Sequence, residues 1–271
     1  MSTGISIIKL FGSILLLLNI FFISPDNTAL AKKSAAAHPY IVVIDPGHGG
    51  EDTGAVAHVG KKSVYEKELS LGIAVRLGKV LSDPRYSAPL GRPIKVIFTR
   101  EKDKAVSLEE RSRIAHDSKA DLFVSVHLNS NSSRQAGGVE TYFLNNTDEK
   151  SSDKLAEIEN KTSKRHNKKA SEDLILKSVE VDAAVEASRS AANFIHKSLL
   201  EEFGREQLHF KSRGVKQALL YVLLDAEVPA VLCEPLFISN PDELQFLQSG
   251  ENRQKIAEGF AIGILRFLAT R

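Results

Sequence analysis

The strongest constraint on the fold is a set of short, β-branched apolar runs that stop abruptly at polar residues and alternate with helical stripes. Ile41 to Ile44 runs straight into Asp45-Pro46-Gly47-His48-Gly49-Gly50, and an apolar run bounded by turn residues reads as a buried strand. From Val64 to Leu81, the residues Leu69, Ile73, Leu77 and Val80 fall at helical spacing. Ile94–Thr99 and Asp121–Val126 read as further strands. Between them Ser107 opens a short helix, with Glu110 at the capping-box position. Gly137–Phe143, Ala218–Leu224 and Ala230–Cys233 read as strands, and Val179–Phe203 and Gln254–Leu268 as amphipathic helices. Such alternation predicts an α/β sheet with helices on both faces.

Composition narrows the function classes. Among 271 residues, 42% are hydrophobic and 26% charged, a globular balance that excludes disordered and collagenous classes. A net charge of +2 lacks the lopsided basic footprint of a nucleic-acid binder. Cys233 is the single cysteine, so neither an intramolecular disulfide nor a multi-cysteine zinc site can form, and any metal falls to histidines and carboxylates. At the N-terminus, Leu10–Ile23 is apolar but short of the roughly 20 residues that span a bilayer. Lys9 precedes it and Ala29-Leu30-Ala31 follows, the pattern of a secretory signal peptide. Residues 1–31 are therefore expected to be a signal peptide and 32–39 a short linker. The chain is exported and has no stable membrane insertion after cleavage; the alternative is an uncleaved anchor.

Ligands in open α/β sheets bind beyond the carboxyl ends of the strands. His48, His127 with Asn129, and Glu234 all lie at such ends, so parallel strands would bring two histidines and a glutamate to one rim. A catalytic zinc takes three protein ligands and keeps an open position. Glu66, near the start of the first helix, is the candidate third ligand. Two alternatives stand beside it: Glu66 as a charge favoured by the helix dipole, and Glu68 as the ligand. Asp45 is a candidate to orient His48 or to cap the turn, and Asn129 to bind substrate or close a turn.

The strings IVVIDPGHGGEDTGA, YEKELSL, SVHLNS, GVETYF, RGVKQA and VPAVLCEPLFISNPDE together resemble the zinc-dependent N-acetylmuramoyl-L-alanine amidases (amidase type 3 family). The resemblance runs from about residue 40 to the C-terminus. It implies a single domain, residues 40–271, with a central, mostly parallel sheet. It implies one Zn2+ per chain, held by His48, Glu66 and His127, with Glu234 as the catalytic carboxylate. The substrate is then peptidoglycan, cut at the amide between N-acetylmuramic acid and L-alanine, and Arg100, Arg111 and Arg113 are candidates to contact the acidic stem peptide. Where the family has small residues after the glutamate, this chain has Pro235-Leu236, which removes a backbone N–H. No separate wall-targeting domain fits into Lys32–Pro39.

More than half of the residues from Asp148 to Asp173 are charged, which reads as a solvated loop or as a lid. SSDKLAEIENK and SEDLILKS resemble the regulatory insertion of division-associated amidases, here at about residues 145–178. That likeness implies that Glu159, with Glu157 as runner-up, caps the zinc until an activator protein displaces the segment. It also implies a periplasmic monomer acting in daughter-cell separation, or a secreted enzyme of another envelope. Two readings compete. Ser151-Ser152-Asp153-Lys154 with Lys161-Thr162-Ser163 suggests serine acyl-enzyme chemistry, at a spacing far too short for it. A degenerate, wall-binding amidase would lack a ligand or the catalytic glutamate, and all four are present.

Overall fold

A computed structural model describes residues 38–145, 149–163 and 180–271. The expected signal peptide, most of the linker and the SEDLILKS string lie outside the described residues. The order is β1 (Tyr40–Pro46), β2 (Val56–Val59), β3 (Lys62–Tyr65), α1 (Glu66–Ser82), α2 (Pro84–Ser87), β4 (Ile94–Phe98), α3 (Leu108–Asp117), β5 (Leu122–Val126), β6 (Val139–Leu144) and α4 (Lys150–Glu159). Then come α5 (Glu180–Arg205), β7 (Ser212–Ala218), α6 (Tyr221–Leu224), β8 (Ala230–Glu234), α7 (Pro241–Gln248) and α8 (Gly250–Leu268).

Six strands form the central sheet in the order β4-β1-β5-β8-β6-β7. The pairings β4–β1, β1–β5, β5–β8 and β6–β7 are parallel, and β6–β8 is antiparallel. The sheet is thus mostly parallel, and its parallel centre is apolar on both sides because helices cover both faces. Val42 and Ile44 of β1 pack with α1, α5 and α8 residues such as Ile73, Ile195 and Phe260. Val43 points the other way, into a cluster with Ala115, Leu155 and Tyr221 from α3, α4 and α6. Cys233 is buried in the first cluster, as strand alternation requires.

Three local expectations change. The apolar run at 218–224 is no strand: β7 ends at Ala218 and Tyr221–Leu224 turns as a short helix. A short apolar run does not separate strand from buried helix. The first helix begins at Glu66 rather than Val64, because Val64 sits in the β2–β3 hairpin. The charged segment is not simply a loop, since Ser152, Leu155 and Ala156 form the buried stripe of α4. Among the described residues no helix is long and apolar enough to cross a membrane.

Because β1, β5 and β8 are parallel neighbours, Pro46, Val126 and Cys233 line up at one rim. β6 runs in reverse, so its beginning meets that rim too, with Glu140 in register with Glu234.

Candidate metal centre

Three nitrogen and oxygen donors converge at this rim. His48 Nε2 lies 3.0 Å from Glu66 Oε1, and His127 Nδ1 lies 3.1 Å from the same oxygen. Glu66 is the first residue of α1, where a carboxylate is favoured by the helix dipole. Its two oxygens are aimed by backbone donors: Ala55 N–H donates to Oε2 (2.8 Å) and Leu128 N–H to Oε1 (3.0 Å). Glu68, the alternative ligand, is exposed on the far side of that turn.

His48 is aimed as well. Its Nδ1 bonds Asp52 Oδ2 at 3.0 Å, leaving Nε2 to face the other donors. Such a carboxylate behind an imidazole fixes the tautomer of a metal ligand. Asp45 is not that carboxylate. It is fully buried and accepts hydrogen bonds from Thr99, Ser125 and Arg111. Arg111 and Arg100 are buried too, and their guanidinium groups are spent on the main chain. Arg111 donates to the carbonyls of Pro46 and His48, and Arg100 to those of Pro46 and Gly47. The two arginines thereby brace the His48 loop from below. Arg113 is spent on Glu110 and Asp117 at the surface.

Two glycines make the convergence sterically feasible. A Cβ on Gly47 would stand 2.5 Å from the His127 ring, and one on Gly54 would stand 2.5 Å from His48 Cδ2 and 2.6 Å from Glu66 Oε2. Gly54 also has φ +62°, a left-handed conformation that costs other residues energy. Gly54→Ala is expected to lower metal occupancy and to destabilise the fold by at least about 1 kcal/mol. Metal analysis and thermal unfolding of the purified variant check this.

The donor set fits a zinc ion. Two imidazole nitrogens and one carboxylate oxygen are a catalytic zinc's usual ligands. Tetrahedral bonds of about 2.0–2.1 Å put ligand atoms roughly 3.3 Å apart, close to the spacings here. His48 Nε2 is buried and makes no hydrogen bond, although a carboxylate oxygen lies 3.0 Å away. Burial alone would lower both imidazoles. The Glu66 carboxylate outweighs it at His48, and Glu159 with Glu66 outweighs it at His127, raising each to about 10.

Two further carboxylates approach this group. Glu159, the last residue of α4, places Oε2 3.0 Å from His127 Nδ1 and 3.7 Å from His48 Nε2. Glu157 faces outward. Glu234 is 1% exposed. Donor atoms of His127, Glu159 and Glu234 lie within 4.8 Å of one another, and Glu234 Oε2 has no hydrogen-bond partner. Burial, then the nearby Glu66, Glu159 and Glu140 charges, push the Glu234 carboxyl well above its ordinary value.

Asn129 ties this end of the site together. Its Oδ1 accepts from Ser130 N–H, and its Nδ2 donates to Glu140 Oε2 at 2.6 Å. Its main chain pairs with Leu236 O and Ile238 N, so Pro235 costs no pairing there. Glu140 and Asp52 are functional neighbours that sequence reasoning missed. Glu140 had a readable signal, as the one acid inside the apolar strand VETYFL. Asp52 had none, since its partner is set only by the fold of the loop. Ser151 bonds Glu149 and Lys216, and Ser163 bonds Glu109.

The arrangement matches known proteins along nearly the whole described chain. The N-acetylmuramoyl-L-alanine amidase family matches residues 42–266. The chain is 35% identical over 244 residues to the N-acetylmuramoyl-L-alanine amidase AmiA of Escherichia coli (strain K12), covering 88% of this chain and 78% of that protein. It is 31% identical to AmiC of Escherichia coli O6:H1, covering 88% of this chain and 55% of that one. Among solved structures, the N-acetylmuramoyl-L-alanine amidase from Clostridium difficile 630 superposes with a TM-score of 0.64 at 26% identity, over 87% of this chain and 100% of its own. The chain therefore belongs to the N-acetylmuramoyl-L-alanine amidase family.

Proposed function

We propose that this peptidoglycan amidase is zinc-dependent, with His48, Glu66 and His127 as ligands and Glu234 as the proton-transfer group. The observation that carries the reading is the meeting of two buried imidazole nitrogens and one doubly anchored carboxylate oxygen 3.0–3.1 Å apart, beside an unpartnered buried carboxylate. When bound, zinc would acidify water and polarise the scissile carbonyl. Glu234 accepts a proton from the attacking water and delivers it to the leaving alanine nitrogen. Its Oε2 is engaged by no other hydrogen bond, which leaves it free for both halves of that task. Asp52 keeps His48 aimed, and Asn129 with Glu140 fixes the wall beside Glu234.

Residues 1–31 serve export and 32–39 link to the catalytic domain at 40–271. In this reading the enzyme works outside the cytoplasm, in the periplasm of a Gram-negative cell, and contributes to daughter-cell separation. The insertion at about 145–178 is its regulator: Glu159 fills the position that water and substrate need, and an activator protein lifts α4 away. Glu159→Gln is expected to raise the basal rate by about 10–100-fold, the change that follows when a resting state holding all but 1–10% of molecules is released. Initial rates on purified peptidoglycan check this, and a rate equal to wild type removes the cap.

The whole reading is tested by muramyl–alanine amide hydrolysis with metal analysis on the same sample. One equivalent of zinc, loss of activity on chelation and recovery with added zinc are expected. A metal-free chain of unchanged activity would overturn it.

A further inference from the structure

At the end of α4 opposite Glu159 there is a second ion pair. Glu149, which precedes the first turn, places Oε1 3.2 Å from Lys216 Nζ, and Ser151 Oγ lies 3.2 Å from the same ammonium. Lys216 stands on β7 in register with Tyr142 of β6, and its side chain is only 12% exposed. Its other carboxylate partner is Glu140, at 3.2 Å. Glu140 also accepts from Arg213 Nε and is in register with Glu234. Two cations thus share one internal carboxylate, and the remaining positive charge is met by Glu149.

Two directions lead away from the metal ligands, one an open arm and the other an arm filled by the packing of α4. The open arm is a cavity of about 860 Å3. Its walls outside the α4 segment carry Arg134 against Glu51 and Asp52, with no surplus of positive charge. The other arm lies beneath α4. There Leu155 and Ala156 cover Tyr142, Leu144 and Leu220, and Lys216 marks its end. A muramyl–alanine amide has two chemically different sides. The glycan side is neutral, because the lactyl carboxyl is consumed in the amide. The peptide side is acidic.

We infer that the arm beneath α4 receives the stem peptide, that Lys216 binds one of its carboxylates, and that α4 shuts this arm as a mimic carrying two carboxylates of its own. Glu159 stands for the substrate at the metal ligands and Glu149 stands for it on Lys216. Glu159 lies ten positions after Glu149, about 15 Å at the helical rise. Extended peptide covers that length in about four to five residues. The carboxylate that Lys216 binds therefore belongs to the distal part of the stem.

The inference rests on the amidase and cap readings, and the test separates the three. Soluble muramyl-peptides with free carboxylates, and the same compounds with every carboxylate amidated, are given to full-length Glu159→Gln. They are also given to that variant carrying Lys216→Met or Lys216→Arg. With Lys216→Met, KM for the free-carboxylate substrate rises about tenfold, the worth of one charge-assisted contact. Its kcat stays within about twofold and KM for the amidated substrate does not move. Lys216→Arg recovers most of the loss. An equal KM change on both substrates, or a fall in kcat on both, overturns the inference and leaves Lys216 a structural residue. Wild type as fast as Glu159→Gln overturns the cap alone, because the comparison of the two substrates still decides Lys216. Chains inert toward both substrates overturn the amidase reading and this inference with it.

Discussion

Glu234→Gln is expected to lower kcat by about 10²–10⁴-fold, the usual worth of a positioned proton-transfer group, with zinc content unchanged. The amide keeps the size of the side chain and loses its ability to take a proton. The sign of the stability change separates this role from a structural one. A carboxylate holding a buried ion pair would cost stability on neutralisation. Glu234 is surrounded instead by the like charges of Glu66, Glu159 and Glu140, and its Oε2 has no donor. The variant should therefore unfold at the same temperature as wild type or higher. Stopped-time hydrolysis, metal analysis and a thermal melt on one preparation decide the matter. A variant that keeps its rate within tenfold would mean that another group moves the proton.

Arg111→Met should be the most damaging substitution outside the rim itself. The guanidinium lies 2.6 Å from Asp45 Oδ1 and 2.7 Å from the carbonyls of Pro46 and His48, and both charged side chains are almost wholly buried. Removing the cation strands the Asp45 charge, at about 3–5 kcal/mol. It also frees the His48 loop, so metal affinity should fall together with stability. Urea unfolding and zinc titration measure the two losses. Burial by itself would raise the Asp45 carboxyl, but Arg111, Thr99 and Ser125 outweigh it and hold the group below its ordinary 3.8. A carboxyl depressed in the folded state stabilises fully above its unfolded value, and that contribution is lost as pH falls through the folded one. Wild type should thus lose this stability only below about pH 4, and Asp45→Asn should lack that part of the acid dependence.

The candidate ligands His48 and His127, with Glu234, were legible because each ends an apolar run, and a strand that stops at a polar residue announces the rim. Glu66 was legible only as one of two acids at the start of a helix that must return to that rim, and the family resemblance rather than the pattern singled it out over Glu68. The supporting residues were not. Asp45 looked like a partner for His48, which lies three positions on, yet the strand carries its side chain down between Thr99 and Ser125. Arg100 and Arg111 were candidates to contact the stem peptide because nothing local shows that loop carbonyls will surround them. The run Ala218–Leu224 looked like a strand because short buried helices and strands share an apolar composition. For Asp45, Arg100 and Arg111 the deciding contacts join residues more than fifty positions apart, which no local pattern encodes. The three arginines were candidates to contact the stem peptide, whereas the fold engages Arg100 and Arg111 with loop carbonyls and Arg113 with Glu110 and Asp117.

The ten residues of α4 also act as a ruler. Glu149 and Glu159 engage their separate partners only while the helix keeps its length and phase. One residue inserted or deleted between them turns Glu159 by about 100° and moves it about 1.5 Å along the axis, away from His127. Length changes on either side of the ruler leave both ends in place. If Glu159 caps the site as proposed, the flanks of related chains can drift in length, while an indel between these two glutamates would produce an enzyme that never rests.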